Sequence, residues 1–148
     1  ALLPTALAQS SYTRPPPPGL TFLYSLNATI APAINLGASP LSNRTIYPIT
    51  GGSFEGPMIK GTVMNLGADW GINDRDGVFH PDTRYHLQTD DGAPIYIRTE
   101  GPTQPSGITY LRIYFETGHP KYYWLNNLVT VGLLYGPVDA NYVLIDAY

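Results

Sequence analysis

Two carboxyl groups in this chain stand where proton transfer would suit them. Asp69 follows Gly67 and precedes Trp70, at the end of an expected strand. A carboxylic acid in an aromatic pocket loses hydration, so its pKa rises and it can exchange a proton near neutrality. The same pair could equally be a carboxylate capping a turn beside a packed tryptophan. Glu116 lies between Phe115 and Thr117 and shares a strand face with Arg112 and Tyr114. It could act as a general acid or base. It could also be the ion-pair partner of Arg84 or Arg98, since buried charges are usually paired. Arg84 and Arg98 carry planar donors that can hold a phenolate, a carboxylate or a developing oxyanion. Trp70, Tyr96, Tyr114 and Trp124 could stack on a flat ligand, although tyrosine is also a common packing residue of strands.

Strands must position these groups. Arg84, His86 and Gln88 alternate with Tyr85, Leu87 and Thr89; Tyr96, Arg98 and Glu100 alternate with Ile95, Ile97 and Thr99. Tyr110, Arg112, Tyr114 and Glu116 alternate with Leu111, Ile113 and Phe115. Successive strand side chains point to opposite faces, so each segment has one apolar face and one face of Tyr, Arg, His and Glu. That second face can line a polar lumen or meet water, and the two outcomes separate a site from a plain solvated surface. Asp90-Asp91-Gly92 joins two of the runs as a hairpin turn. Further strands are expected at Leu20–Ile30, Phe54–Leu66, within Tyr122–Tyr135 and at Asn141–Tyr148, with a short helical turn at Tyr122–Asn127 and a loop over Ala31–Pro48. No useful helical period exists. The reading is all-β: one closed or nearly closed antiparallel barrel of about eight to ten strands.

Composition narrows the partners. The chain has 148 residues, of which 13% are charged, with 15 Gly, 15 Pro, 12 Tyr and a net charge of -3. That suits one domain, with residues 1–19 as a leader-like stretch and Pro-rich arm and 20–148 as the barrel. There is no basic cluster to attract nucleic acid and no 18-residue apolar run to span a membrane. Cysteine is absent, so thiol chemistry is excluded. His80, His86 and His119 match no metal-ligand spacing, and Asp74-Arg75-Asp76-Gly77 lacks the twelfth-position glutamate of a calcium loop. Ala1–Ala8 looks like the tail of a signal peptide, and Asn27-Ala28-Thr29 and Asn43-Arg44-Thr45 are N-glycosylation sequons. Together they favour a secreted or lumenal protein over a cytoplasmic one.

An ordered set of short elements carries a family resemblance: Gly51-Gly52-Ser53-Phe54-Glu55-Gly56-Pro57, Gly61-Thr62-Val63, Gly67-Ala68-Asp69-Trp70, Asp76-Gly77, Asp82-Thr83-Arg84-Tyr85, Thr89-Asp90-Asp91-Gly92-Ala93, Phe115-Glu116-Thr117, Tyr122, Trp124-Leu125-Asn126 and Val131-Gly132. In that order they resemble the proteins grouped as domain of unknown function 3237, over roughly residues 47–148. The resemblance implies a small β-barrel that uses no cofactor. It also implies, through similar fungal proteins, cofactor-free ring closure in secondary metabolism. The expected function is therefore a cyclase, isomerase or lyase acting on a small aromatic or polyketide-like molecule. Asp69 or Glu116 would move the proton, Arg84 and Arg98 would hold an oxygen anion, and Tyr96 and Trp124 would shape the pocket. Two other readings use the same face: a lipocalin-like binder without catalysis, and an interaction domain that meets a partner or a second subunit of its own kind.

Overall fold

The computed structural model describes residues 13–136 and 140–148. Its strands are Tyr24–Ile30 (β1), Ile34–Ala38 (β2), Asn43–Glu55 (β3), Lys60–Asp69 (β4), Ile72–Asn73 (β5), Phe79–His80 (β6), Asp82–Thr89 (β7), Pro94–Glu100 (β8), Thr109–Glu116 (β9), Thr130–Tyr135 (β10) and Tyr142–Ala147 (β11). Eight of them close on themselves, in the order β1-β11-β10-β9-β8-β7-β4-β3, with β3 returning to β1. Every pairing is antiparallel. Closure leaves the barrel no free edge to protect, which fits a chain with few lysines.

The interior is the apolar face of the alternating runs. Tyr85 and Leu87 of β7, Ile95 and Ile97 of β8, and Leu111, Ile113 and Phe115 of β9 are buried with Tyr24 and Leu26 of β1. An eight-stranded barrel is just wide enough for such side chains to fill it. Burying each of them is worth about 1.5–3 kcal/mol, whereas an unpaired arginine inside would cost far more. The Tyr, Arg and Glu face is therefore the outer one. One end of the barrel is closed by an aromatic cluster, with Tyr24 edge-on to Phe54 at 5.7 Å and to Phe115 at 6.3 Å. Beneath it lies the 3₁₀ helix Pro120–Asn127, which buries Tyr122 and Leu125. Asp91 of the β7–β8 turn ties this helix down, accepting from Lys121 Nζ at 2.6 Å, Tyr122 Oη at 2.9 Å and Thr89 Oγ1 at 2.6 Å. Gly92 ends that turn at φ 87°, a left-handed conformation in which a side chain would be strained.

Three departures from the sequence reading matter for the site. Residues 31–48 are not a loop: β2 pairs with the first half of β3, which also pairs with β5, and β5 pairs with β6. This second, small sheet stands beside the barrel and shares β3 with it. The strand expected over 54–66 is two strands, parted by a turn at Gly56-Pro57-Met58-Ile59. The first strand starts at Tyr24 rather than Leu20, and Thr13–Phe22 are exposed. The leader-like residues Ala1–Ala8 lie outside the described residues. No helix among the described residues is long and apolar enough to cross a membrane.

Candidate functional site

Asp69 is the last residue of β4, where the barrel gives way to the small sheet. Its register partners are Tyr47 on β3 and Thr83 on β7, and Thr83 in turn faces Thr99 on β8. Directly opposed residues share a face, so Tyr47, Asp69, Thr83 and Thr99 form one polar rung across four neighbouring strands. All four line a partly open cavity of about 130 Å³ at this end of the barrel. The remaining walls are apolar: Ala28 and Ile30 of β1, Ile49 of β3, Leu134 of β10, and Val143 and Ile145 of β11. The ring of Tyr85 adds to the wall from within the core, and Phe79 adds to it from outside the barrel.

This setting acts on the Asp69 carboxyl. Burial pushes its pKa from 3.8 up to about 6, against the Asp82 N–H, which donates to Oδ1 at 2.9 Å, and the Thr83 hydroxyl, both of which favour the charged form. The neighbouring Asp82 charge adds to the rise. A carboxyl poised near pH 6 can act as acid or base close to neutrality. Tyr24 and Tyr85 are fully buried, and burial raises the pKa of both hydroxyls. They lie close enough to act on one another, yet neither has a partner in hydrogen-bonding geometry. Among the described residues, no group of three acidic or histidine side chains is arranged to hold a metal.

The other residues singled out from the sequence lie elsewhere. Arg84 is exposed and pairs with Asp82 at 3.1 Å. Arg98 pairs with Glu100 and lies over the Tyr114 ring at 5.3 Å. Tyr96 stacks edge-on to His86 at 5.5 Å, and Glu116, its cross-strand partner, is exposed. These five, Arg84, Tyr96, Arg98, Tyr114 and Glu116, come together as a layer on the outer face of β7, β8 and β9, away from the cavity. The reason is the inward turn of the apolar face. Neither arginine pairs with Asp69 or Glu116. Trp70 adjoins Asp69 in sequence but lies in an open outer groove with Arg44, whose guanidinium donates to the Trp70 carbonyl. Trp124 packs against the core from the 3₁₀ helix at the opposite end. Of the sequence candidates, Asp69 alone lines the cavity. Tyr47, Thr83, Tyr85 and Thr99 were not anticipated there, although Thr83, Tyr85 and Thr99 all belong to the alternation face that turned inward. Larger hollows of about 240 to 470 Å³ exist, but they are more open grooves on the outer surface.

A family model described as protein of unknown function (DUF3237) matches residues 18–110. The chain belongs to the DUF3237 family. That match starts in the arm, N-terminal to the elements that carry the resemblance. Among relatives of this DUF3237 protein, a hydroalkoxylation enzyme, phnH, of Penicillium herquei is 37% identical over 120 residues, covering 81% of this chain and 76% of that protein. The crystal structure of a β-barrel-like protein from Acinetobacter baumannii AYE superimposes with a TM-score of 0.85 at 38% identity, covering 93% of this chain and 98% of that one. The crystal structure of an enzyme from Penicillium herquei gives a TM-score of 0.75 at 32% identity, covering 93% of this chain and 99% of that one.

Proposed function

We propose that this protein is an enzyme that closes a ring on a small molecule by acid–base chemistry, with Asp69 as the proton-transferring group. The observation that carries this reading is a carboxyl with its pKa raised to about 6 by burial, on the polar rung of an otherwise apolar, partly open cavity. The similarity to a hydroalkoxylation enzyme supports the reaction class. Hydroalkoxylation adds an O–H across a C=C bond, and within one molecule it makes a cyclic ether. One proton reaches an alkene carbon, the hydroxyl oxygen bonds to the other carbon, and the hydroxyl proton leaves. Atoms and electrons balance within the substrate. Asp69 gives the first proton from Oδ2, while Oδ1 is held by the Asp82 N–H. The resulting carboxylate then takes the hydroxyl proton and is restored. Apolar walls keep water from competing for the carbocation-like centre, and Thr83 and Thr99 offer hydroxyls to orient the incoming oxygen.

The test is turnover of an ortho-alkenyl phenol to its cyclic ether. Asp69→Asn keeps shape but carries no exchangeable acid proton, and the rate should fall about 10²- to 10⁴-fold. Glu116→Gln, on the outer face, should keep the full rate. Full activity in Asp69→Asn would sink the mechanism. Because the acid form is required, kcat/KM should fall as pH rises through about 6, following Asp69. A non-catalytic carrier, the second reading, would bind the phenol in both proteins and close the ring in neither.

A further inference from the structure

Phe79 differs from the other residues lining the cavity. Each of the others stands on a barrel strand, whereas Phe79 stands on β6, in the excursion that leaves the barrel at Asp69 and returns at Asp82. Two contacts place its ring. It meets Tyr47 edge-on, with centroids 5.9 Å apart and planes at 86°. It also rests on the bare α-carbon of Gly71: a β-carbon there would overlap the Phe79 ring and stand 3.3 Å from Asp69 Oδ1. Ring, glycine and carboxyl are therefore layered one on another. The excursion is pinned in turn. Asp74 Oδ1 accepts the N–H groups of Asp76 and Val78 at 2.9 Å each, and Asp74 Oδ2 meets His80 Nε2 at 2.9 Å. The Thr103 N–H donates to the Phe79 carbonyl at 2.9 Å.

We propose that Phe79 is a positioning and size-selecting residue of this cavity: its ring, seated on Gly71 and against Tyr47, keeps water from Asp69 and limits what reaches the carboxyl to about one aromatic ring across. The inference rests on the reading of Asp69 as the acid and adds what maintains that acid and what it admits. Size supports it. An apolar cavity of about 150 Å³ holds one benzene, and this one measures about 130 Å³. Removing the Phe79 ring would merge its volume with the cavity and let water reach the carboxyl through the gap. The raised pKa of Asp69 is dominated by burial, so uncovering it should let the pKa fall. The charged and titratable groups around this point are Asp82, which is paired with Arg84, His80, which is paired with Asp74, Arg44 on the Trp70 carbonyl, and the Tyr47 and Tyr85 hydroxyls. Of these, Asp82 is the charge that acts on Asp69, and it pushes the same way as burial. It stays in place when Phe79 is changed.

The experiment follows the side-chain carboxyl ¹³C resonance of Asp69, assigned by its loss in Asp69→Asn, through a pH titration of the whole protein. Binding of phenol and of 9-phenanthrol, whose hydroxyl-bearing ring is flanked by fused rings on both sides, is measured alongside by calorimetry. In the wild type the midpoint should lie near 6, with phenol bound and 9-phenanthrol excluded. Phe79→Ala should lower the midpoint by about one unit or more, towards the ordinary carboxylate range, and admit 9-phenanthrol. Phe79→Leu should hold the midpoint near that of the wild type. Gly71→Ala, which displaces the ring without removing it, should lower the midpoint too, and it serves as the second variant should Phe79→Ala fail to fold. An unchanged midpoint in both Phe79→Ala and Gly71→Ala overturns the proposal, as does equal binding of 9-phenanthrol by the wild type and Phe79→Ala. A wild-type midpoint already near 4 would instead strike at the Asp69 reading, and size selection would then decide the role of Phe79 separately.

Discussion

At the scale of single residues, Asp69 trades stability for chemistry. Its folded pKa lies above its unfolded value, so the folded protein holds the proton to higher pH than the unfolded chain. Above about pH 6 the carboxylate is charged in both states, and the fold carries the cost of keeping that charge from water. Below about pH 4 the group is neutral in both, and the cost is gone. A carboxyl moved from 3.8 to about 6 has its charged form destabilised by about 3 kcal/mol at most, less whatever partial hydration relieves. Asp69→Asn should therefore raise Tm at pH 8 and leave it unchanged at pH 4. A lowered Tm at pH 8 would mean that the carboxylate is a structural anchor instead. Asp69 was legible in the sequence as a carboxyl beside a tryptophan at a strand end, within the Gly67-Ala68-Asp69-Trp70 element that carries the family resemblance. The arginines were misplaced for a definite reason. Alternation tells which residues share a face, but not which face is inside. In a narrow barrel the face that turns in is the apolar one.

At the scale of elements, the β7–β8 hairpin was legible from alternation and from Asp90-Asp91-Gly92, and the structure adds what the turn does. Asp91 anchors the 3₁₀ helix, and its carboxyl is held well below the usual range, first by Lys121 and then by the Thr89 and Tyr122 hydroxyls. Depression of a folded pKa gives stability that is complete above the unfolded value and drains away as pH falls below about 4. Asp91→Asn should lower Tm at neutral pH, with the gap to wild type closing as the solution is acidified below that point. A constant gap at every pH would show that charge is not what matters at this anchor. The small sheet was not legible. Residues 31–46 have little alternation, β2 is exposed along its whole length, and its strand character comes from pairing with β3 rather than from its own side chains. The same holds for β5 and β6, of two residues each.

At the scale of the whole molecule, a closed barrel was legible because short alternating runs, frequent glycine and few edge-guarding lysines all agree with it. The cavity was not, because its walls come from β1, β3, β4, β7, β8, β10 and β11 at once, a set that only closure brings together. We propose that the protein is exported and carries glycans at Asn27 and Asn43, both of which are exposed. Enzymatic deglycosylation of material secreted by a eukaryotic host should reduce its mass, and an unchanged mass with both asparagines unmodified would remove that support.

The two excursions from the barrel share a geometry with an evolutionary consequence. The segment 31–46 leaves just after Ile30 and returns just before Tyr47; the segment 70–81 leaves just after Asp69 and returns one residue before Thr83. All four of these bracketing residues line the cavity. The hydrogen-bonded ring of eight strands is complete without either segment. Lengthening, shortening or rewriting them would leave the ring of strands and the position of Asp69 in place while reshaping what surrounds the cavity and its carboxyl. Descendants of such a chain could diversify in the molecules they accept without first having to reinvent the barrel.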